Sequence, residues 1–280
     1  MQIKKALITA AGPDQRKLAI QTLVDRDGNR KTVLEILVGE ARQAGIEEIG
    51  VVIHPGDLEV YAEMAAGDGQ IHFIQQDKPL GYGYAVFCGA SFIGNDYFLH
   101  LVGDHLYVNR SGVPCAKHLT DIAKTHNCSV SAVTPTRENL IPNYGTIGGK
   151  RVHPTTDLFL IDKIVEKPTP TIAEQKLMIP GLRAGHYLCF FGIHVLTPTV
   201  MEILARQHRA NAGAARTELS AALAELARAE RYLAHELLGH RHDIGQRYGL
   251  FSAQLALALA GQDRDEVLAQ LVELLAQSKD

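Results

Sequence analysis

Short apolar runs alternate with helix-patterned segments through the first hundred residues, and that alternation narrows the choice of fold more than any other feature of the chain. Residues 6–10 read as a buried strand ending in small side chains. Residues 32–44 carry Val33, Leu34, Leu37 and Val38 at helical spacing, with Gly45 as a stop. A second apolar run over 49–53 ends at His54-Pro55-Gly56-Asp57, and residues 58–66 return to a helical pattern. Residues 71–74 are extended, 84–92 helical, and 98–102 form a strong strand that stops at Gly103-Asp104. This β-α-β-α-β-α-β order predicts a parallel sheet covered by helices on both faces. In such sheets the ligand crevice lies beyond the carboxyl ends of the strands. Gly12 and Asp104 each follow a strand, so their chemistry can meet although they are far apart in sequence.

Beyond residue 110 the pattern is less regular. Residues 113–126 predict a helix with Pro114 in its first turn, and 129–133 a strand. Two extended segments, 146–150 and 158–165, pair around a turn, and 186–195 is a long apolar strand. A helix opens at Pro198, 218–229 and 246–259 are helical, and 232–237 is extended between them. The last helix, 264–277, aligns Val267, Leu268, Leu271, Val272, Leu274 and Leu275. That stripe fits docking onto the core or, more sharply, contact with a second copy in a homo-oligomer. Repeats, low-complexity tracts and long linkers are lacking, so the 280 residues read as one domain.

Composition excludes several classes of function. The chain is 46% hydrophobic and 21% charged with a net charge of −3, which offers no general attraction to nucleic acid or anionic membrane. Phosphate binding therefore requires a local site. Cys88, Cys115, Cys128 and Cys189 are widely spaced and form no C-x-x-C pair, so free thiols are expected rather than disulfides or a zinc site. The opening MQIKKALITAAG reads as a first strand and not a signal peptide, and no stretch approaches a membrane span. A cytoplasmic protein is expected.

Short motifs mark the loop ends: AAG (Ala10, Ala11, Gly12), QQDKPLGYG (residues 75–83), LVGD (101–104), Tyr144-Gly145, VEKP (165–168) and HDIG (242–245). Asp104 and Asp243 each end an extended segment, where a carboxylate can serve Mg²⁺, a cation that takes one or two protein oxygens together with phosphate and water. Each could equally be a turn or helix-cap aspartate. HDIG also echoes a class of metal-dependent phosphohydrolases, but that class is all-helical and needs further histidines downstream, and none follows His242. His105 reads as a neighbour of the carboxylate site rather than a ligand.

Taken in this order the motifs resemble the sugar-phosphate nucleotidyltransferases, most closely the bacterial UTP–glucose-1-phosphate uridylyltransferases, over nearly the whole chain. The resemblance implies a three-layer, Rossmann-like α/β fold with a mostly parallel central sheet. It implies a nucleotide-binding half (1–128), a sugar-phosphate-binding half (129–245) and C-terminal helices (246–280). It further implies formation of UDP-sugar and pyrophosphate from UTP and a sugar-1-phosphate, with glucose-1-phosphate the one expected, and with Mg²⁺ on Asp104 and Asp243. Ala10, Ala11, Gly12, Gln76 and Gly81 would hold the nucleotide, Gln76 reading the base. Tyr144, Gly145, Glu166 and Lys167 would hold the sugar phosphate, with Lys167 on the phosphate and Glu166 on sugar hydroxyls. Arg16 would steady the β- and γ-phosphates.

The family's phosphate loop, roughly G-x-G-T-R with a later proline and lysine, is altered here. Gly12 and Arg16 remain, but Pro13 removes an amide donor, Asp14 and Gln15 replace glycine and threonine, and Gln21 stands near the lysine position. Lys17 or Lys31 could restore the missing charge. Two functions stay open on these residues: a working transferase, or a sugar-nucleotide binding or regulatory protein that kept the fold and lost turnover.

Overall fold

The computed structural model describes residues 1–13, 16–64, 70–109, 112–210 and 216–277. β1 (Ile3–Thr9) leads into the altered loop, after which β2 (Thr22–Val24) and β3 (Arg30–Thr32) form a small hairpin absent from the sequence reading. The Asp25 carboxylate closes its turn by accepting from the N–H groups of Asp27 and Asn29. Thr32 and Glu35 make a capping box that starts α1 (Val33–Gln43), whose buried face is Val33, Leu34, Leu37 and Ala41. Then come β4 (Glu48–Ile53), α2 (Leu58–Met64) and β5 (Ile71–Gln75). The helix expected over 84–92 is divided at Gly89 into α3 (Tyr82–Cys88) and α4 (Ala90–Ile93). β6 (Tyr97–Val102) and the short β7 (His105–Val108) complete this half.

The second half runs α5 (Cys115–His126), β8 (Ser129–Arg137), β9 (Thr146–Arg151), β10 (Leu158–Val165) and α6 (Pro170–Lys176). It continues with β11 (His186–Leu196), α7 (Thr199–Ala210), α8 (Leu219–Ala229), β12 (Tyr232–Glu236), β13 (His240–Asp243), α9 (Gly249–Leu259) and α10 (Arg264–Gln277). Nine strands make one sheet in the order β5-β4-β1-β6-β11-β8-β12-β10-β9. β5, β4, β1 and β6 are parallel, as are β8 and β12, whereas β11 runs antiparallel to β6 and β8. The sheet is therefore parallel in its first half and mixed in its second.

Strand periodicity sets the layers. On β1, Ala6 and Ile8 join an apolar cluster with α1, α5 and α9, while Leu7 joins a second cluster with α3, α7 and α8 on the opposite face. The same alternation recurs at Val51/Val52 and at Phe98/Leu99. Three layers result. All four cysteines are free thiols, three of them buried.

The C-terminal helix departs from the expected docking onto the core. α10 packs chiefly on α9, none of its described residues is buried, and Val272, Leu274 and Leu275 are exposed. No helix among the described residues is long and apolar enough to cross a membrane.

Candidate active site

A cleft of about 510 Å³ opens past the carboxyl ends of β1 and β6, and loops of the second half form its other wall. Ala11, Gly12, Gln76, Gly81, Asp104, Tyr144, Gly145, Glu166 and Lys167 all line it. Asp104 reaches the cleft because Gly103 precedes it. The Gly103 N–H donates to Thr9 O at 2.9 Å, and a Cβ at residue 103 would lie 2.4 Å from that oxygen. Only glycine permits so close a crossing of the two strand ends.

Asp243 arrives by a pairing the sequence did not disclose. β13 runs antiparallel to β7 with Asp243 opposite His105, and the Ile244 N–H donates to Asp104 O at 2.9 Å. The carboxylates meet there, and donor atoms of Asp104, His105 and Asp243 lie within 4.8 Å of one another. His105 Nδ1 bonds Asp104 Oδ1 at 2.7 Å, while Asp243 accepts from the Gly245 N–H and from Gln246 Nε2, each at 3.0 Å. Such bonds fix carboxylates in orientation. Two oriented, partly exposed carboxylates at the mouth of a cleft suit a hard divalent cation that completes its shell with phosphate and water.

On the opposite wall, Lys167 holds a left-handed backbone, φ 45°, and its N–H donates to Tyr144 O at 3.2 Å. For a side chain other than glycine, asparagine or aspartate this costs about 1–2 kcal/mol and persists only where surrounding contacts impose it. Glu166 accepts from the Ser220 hydroxyl, and the Phe190 N–H donates to Gly145 O at 2.9 Å. Gly81, φ +100°, brings the start of α3 against Thr217, whose carbonyl would sit 2.6 Å from a Cβ. Gln76 is buried and spends its Nε2 on Lys78 O at 3.0 Å.

The cleft floor is polar yet uncharged. His194 lines it and stacks on His100, their ring centroids 5.9 Å apart. His100 donates from Nδ1 to Leu7 O at 2.9 Å, which leaves Nε2 to accept from the Tyr82 hydroxyl at 2.5 Å. Burial holds His100 neutral by pulling its pKa down to about 4, and drives His194 well below the ordinary value.

The remaining expected residues lie elsewhere. Ala10 is fully buried beneath the cleft, its N–H donating to Val52 O at 2.8 Å. Asp14 and Gln15 are outside the described residues. Arg16 does not line the cleft. Its Nε and Nη2 grip the two carboxylate oxygens of Asp57 at 2.6 Å each, and this fork holds the Asp57 carboxyl below its usual range. Lys31 pairs with Asp25 at 2.6 Å beside a separate cavity of about 380 Å³, so it does not supply charge to the cleft. Lys17 is exposed and off the cleft, and Gln21 Nε2 donates to Lys17 O at 2.9 Å. Tyr84 packs on His208 with centroids 4.7 Å apart and does not line the cleft. The sequence reading missed Arg216, Ser220 and Arg241, which do line it. Arg241 had one available signal: it precedes Asp243 by two residues in an extended stretch, and so shares its face of the strand.

Residues 22–259 match the family model described as nucleotidyl transferase. A UTP–glucose-1-phosphate uridylyltransferase of Streptococcus pyogenes is 31% identical over 99% of this chain and 97% of the relative. Among solved structures, a UDP-glucose pyrophosphorylase from Acinetobacter baumannii superposes with TM-score 0.76 at 24% identity, covering 98% of this chain and all of that one. A UDP-glucose pyrophosphorylase complexed with UDP-glucose gives 0.73 at 23% identity over 91% of this chain and 98% of that one. With a full-length relative above 30% identity and a family match over most of its residues, the chain belongs to the nucleotidyl transferase family.

Proposed function

We propose that this protein is an enzyme that joins UTP and glucose-1-phosphate to give UDP-glucose and pyrophosphate. One observation carries the reading. The β7–β13 pairing sets Asp243 beside Asp104 at the mouth of a cleft whose far wall presents Tyr144, Glu166 and Lys167. That arrangement is expected where two phosphates must be aligned and their charge offset, with little covalent work left to the protein.

The first half, residues 1–128, takes the nucleotide. The backbone at Ala11 and Gly12 lies along its phosphates, and Gln76 and Gly81 flank its base. The second half, 129–245, takes the sugar phosphate: Lys167 offsets the charge of the attacking phosphate, and Glu166 accepts from sugar hydroxyls. Held in line, an oxygen of the sugar phosphate attacks the α-phosphorus, its bond to pyrophosphate breaks, and pyrophosphate departs with the electron pair. Mg²⁺, held by Asp104 and Asp243, would supply charge neutralisation at the reacting phosphates. Four free thiols suit a reducing compartment, and we place the protein in the cytoplasm.

A second reading, a binding or regulatory protein without turnover, is favoured by one feature. The family match begins at residue 22, after the altered loop, and Arg16 of that loop is engaged by Asp57. Pyrophosphate release with Mg²⁺, glucose-1-phosphate and each of UTP, dTTP, CTP, ATP and GTP separates the two. The enzyme reading expects turnover with UTP that a chelator abolishes. Tight binding of UDP-glucose without turnover on any nucleotide would establish the binding reading instead.

A further inference from the structure

Three described side chains that line the cleft carry a fixed positive charge: Lys167, Arg216 and Arg241. They differ in how firmly they are held. Arg216 is highly exposed, and its Nε lies 3.4 Å from Glu218. Arg241 is held on two sides. Its guanidinium carbon lies 3.9 Å from the centroid of the Tyr144 ring, and Nη1 donates to the carbonyl of Phe190. A cation stacked on an aromatic face and tied to one carbonyl has lost its rotamer freedom but has used only part of its five-donor fork.

The position of this fork is informative. Arg241 shares a face of β13 with Asp243, and the ring it stacks on belongs to the residue whose carbonyl accepts from the Lys167 N–H. Tyr144 thus has one cation stacked on its ring and another bonded at its backbone, both on the sugar side of the cleft. Meanwhile Arg16 of the N-terminal loop is directed to Asp57, and Lys31 of β3 to Asp25. We propose that Arg241 is a second phosphate-binding residue of this cleft, contacting the phosphate attached to the sugar together with Lys167. The inference rests on the uridylyltransferase reading for the identity of the ligand. Its chemistry is narrower: a preorganised guanidinium fork facing a phosphate monoester or the sugar-linked phosphate of a nucleotide sugar.

Calorimetric titration of the full chain with UDP-glucose and, separately, with UMP tests it in Arg241→Gln and Arg241→Lys. Only UDP-glucose carries the sugar-linked phosphate. Loss of one charge-assisted contact should weaken UDP-glucose binding by Arg241→Gln roughly 10- to 30-fold while UMP binding changes by less than about threefold. Arg241→Lys, which keeps the charge and loses the fork, should fall between wild type and Arg241→Gln. In steady state the same variant should raise KM for glucose-1-phosphate and leave KM for UTP near wild type. Equal weakening of both ligands, equal effects of the two substitutions, or unchanged UDP-glucose affinity would overturn the assignment. If Arg241→Gln does not fold, the Arg241→Lys ratio between the two ligands decides alone. Wild-type protein that binds UDP-glucose without turnover would end the transferase reading while leaving this binding comparison intact.

Discussion

The two walls of the cleft contrast in how their side chains are placed. At the carboxylate pair and on the wall across from it, Asp104, Asp243, Glu166 and Lys167 sit at strand ends, where ladder pairing and a few backbone hydrogen bonds fix their positions. On the wall proposed for the nucleotide, the described residues of the altered loop contribute Gly12 and Pro13 to the lining, and its Arg16 turns to Asp57. Strand register is over-determined by many bonds, so function-bearing residues there tolerate divergence around them. A loop depends on each residue's own φ and donors, so three or four substitutions redirect it. The fixed positive charge that the phosphate loop does not bring to the cleft is present on the wall formed by the second half, at Arg241 and Lys167.

The largest effect should come from the acidic pair. Asp104→Asn and Asp243→Asn should each lower kcat for pyrophosphate release by about 10²- to 10³-fold, the range for losing one preorganised charge in a phosphoryl-transfer site. Turnover near wild type in either would remove the metal role and, with it, the contrast between the walls.

Next is the histidine pair under the floor. A base whose pKa is depressed on folding stabilises the fold fully above its unfolded value, near 6.5, and loses that contribution as pH falls towards about 4. For His100 the loss is on the order of 3 kcal/mol across that window, with His194 acting in the same direction. Urea midpoints measured from pH 8 to pH 4 should be flat to about 6.5 and then fall, and a His100 imidazole seen by NMR to titrate near 6.5 would contradict the buried assignment.

Lys167→Met should raise KM for the sugar phosphate about 10- to 30-fold with a smaller change for UTP, by loss of a charge-assisted contact. The reverse pattern would place Lys167 on the nucleotide. The smallest effect is expected at the loop: Arg16→Ala should change turnover by roughly threefold or less, and alike with Asp57→Ala, as for other partly exposed ion pairs. A steep loss in Arg16→Ala alone would show that the arginine leaves Asp57 for the triphosphate, making the two walls alike after all.

Much of the fold was legible because hydrophobic period reports strand and helix directly. The β-α alternation, the long strand at β11 and the break at Gly103-Asp104 all follow from residues that must face a core or a close neighbour. The loop-end positions of Asp104 and Lys167 were legible for the same reason. The β2–β3 and β7–β13 pairings were not, because strands of three or four residues carry too little periodicity to register. The division at Gly89 and the exposed stripe of α10 also escaped, since a helical pattern states which residues are apolar but not what covers them.

The sequence by itself determined the layered α/β class, the residues that end each central strand, and the chemical types present at those ends. Tertiary structure alone decided which of those ends meet. Asp243 joins Asp104 through a short antiparallel ladder, Arg241 comes to rest on Tyr144, and Arg16 finds Asp57 before it finds the cleft. Local periodicity is a property of neighbours along the chain, whereas these contacts join residues 41 to 139 positions apart, whose proximity is fixed only once the sheet has set its strand order.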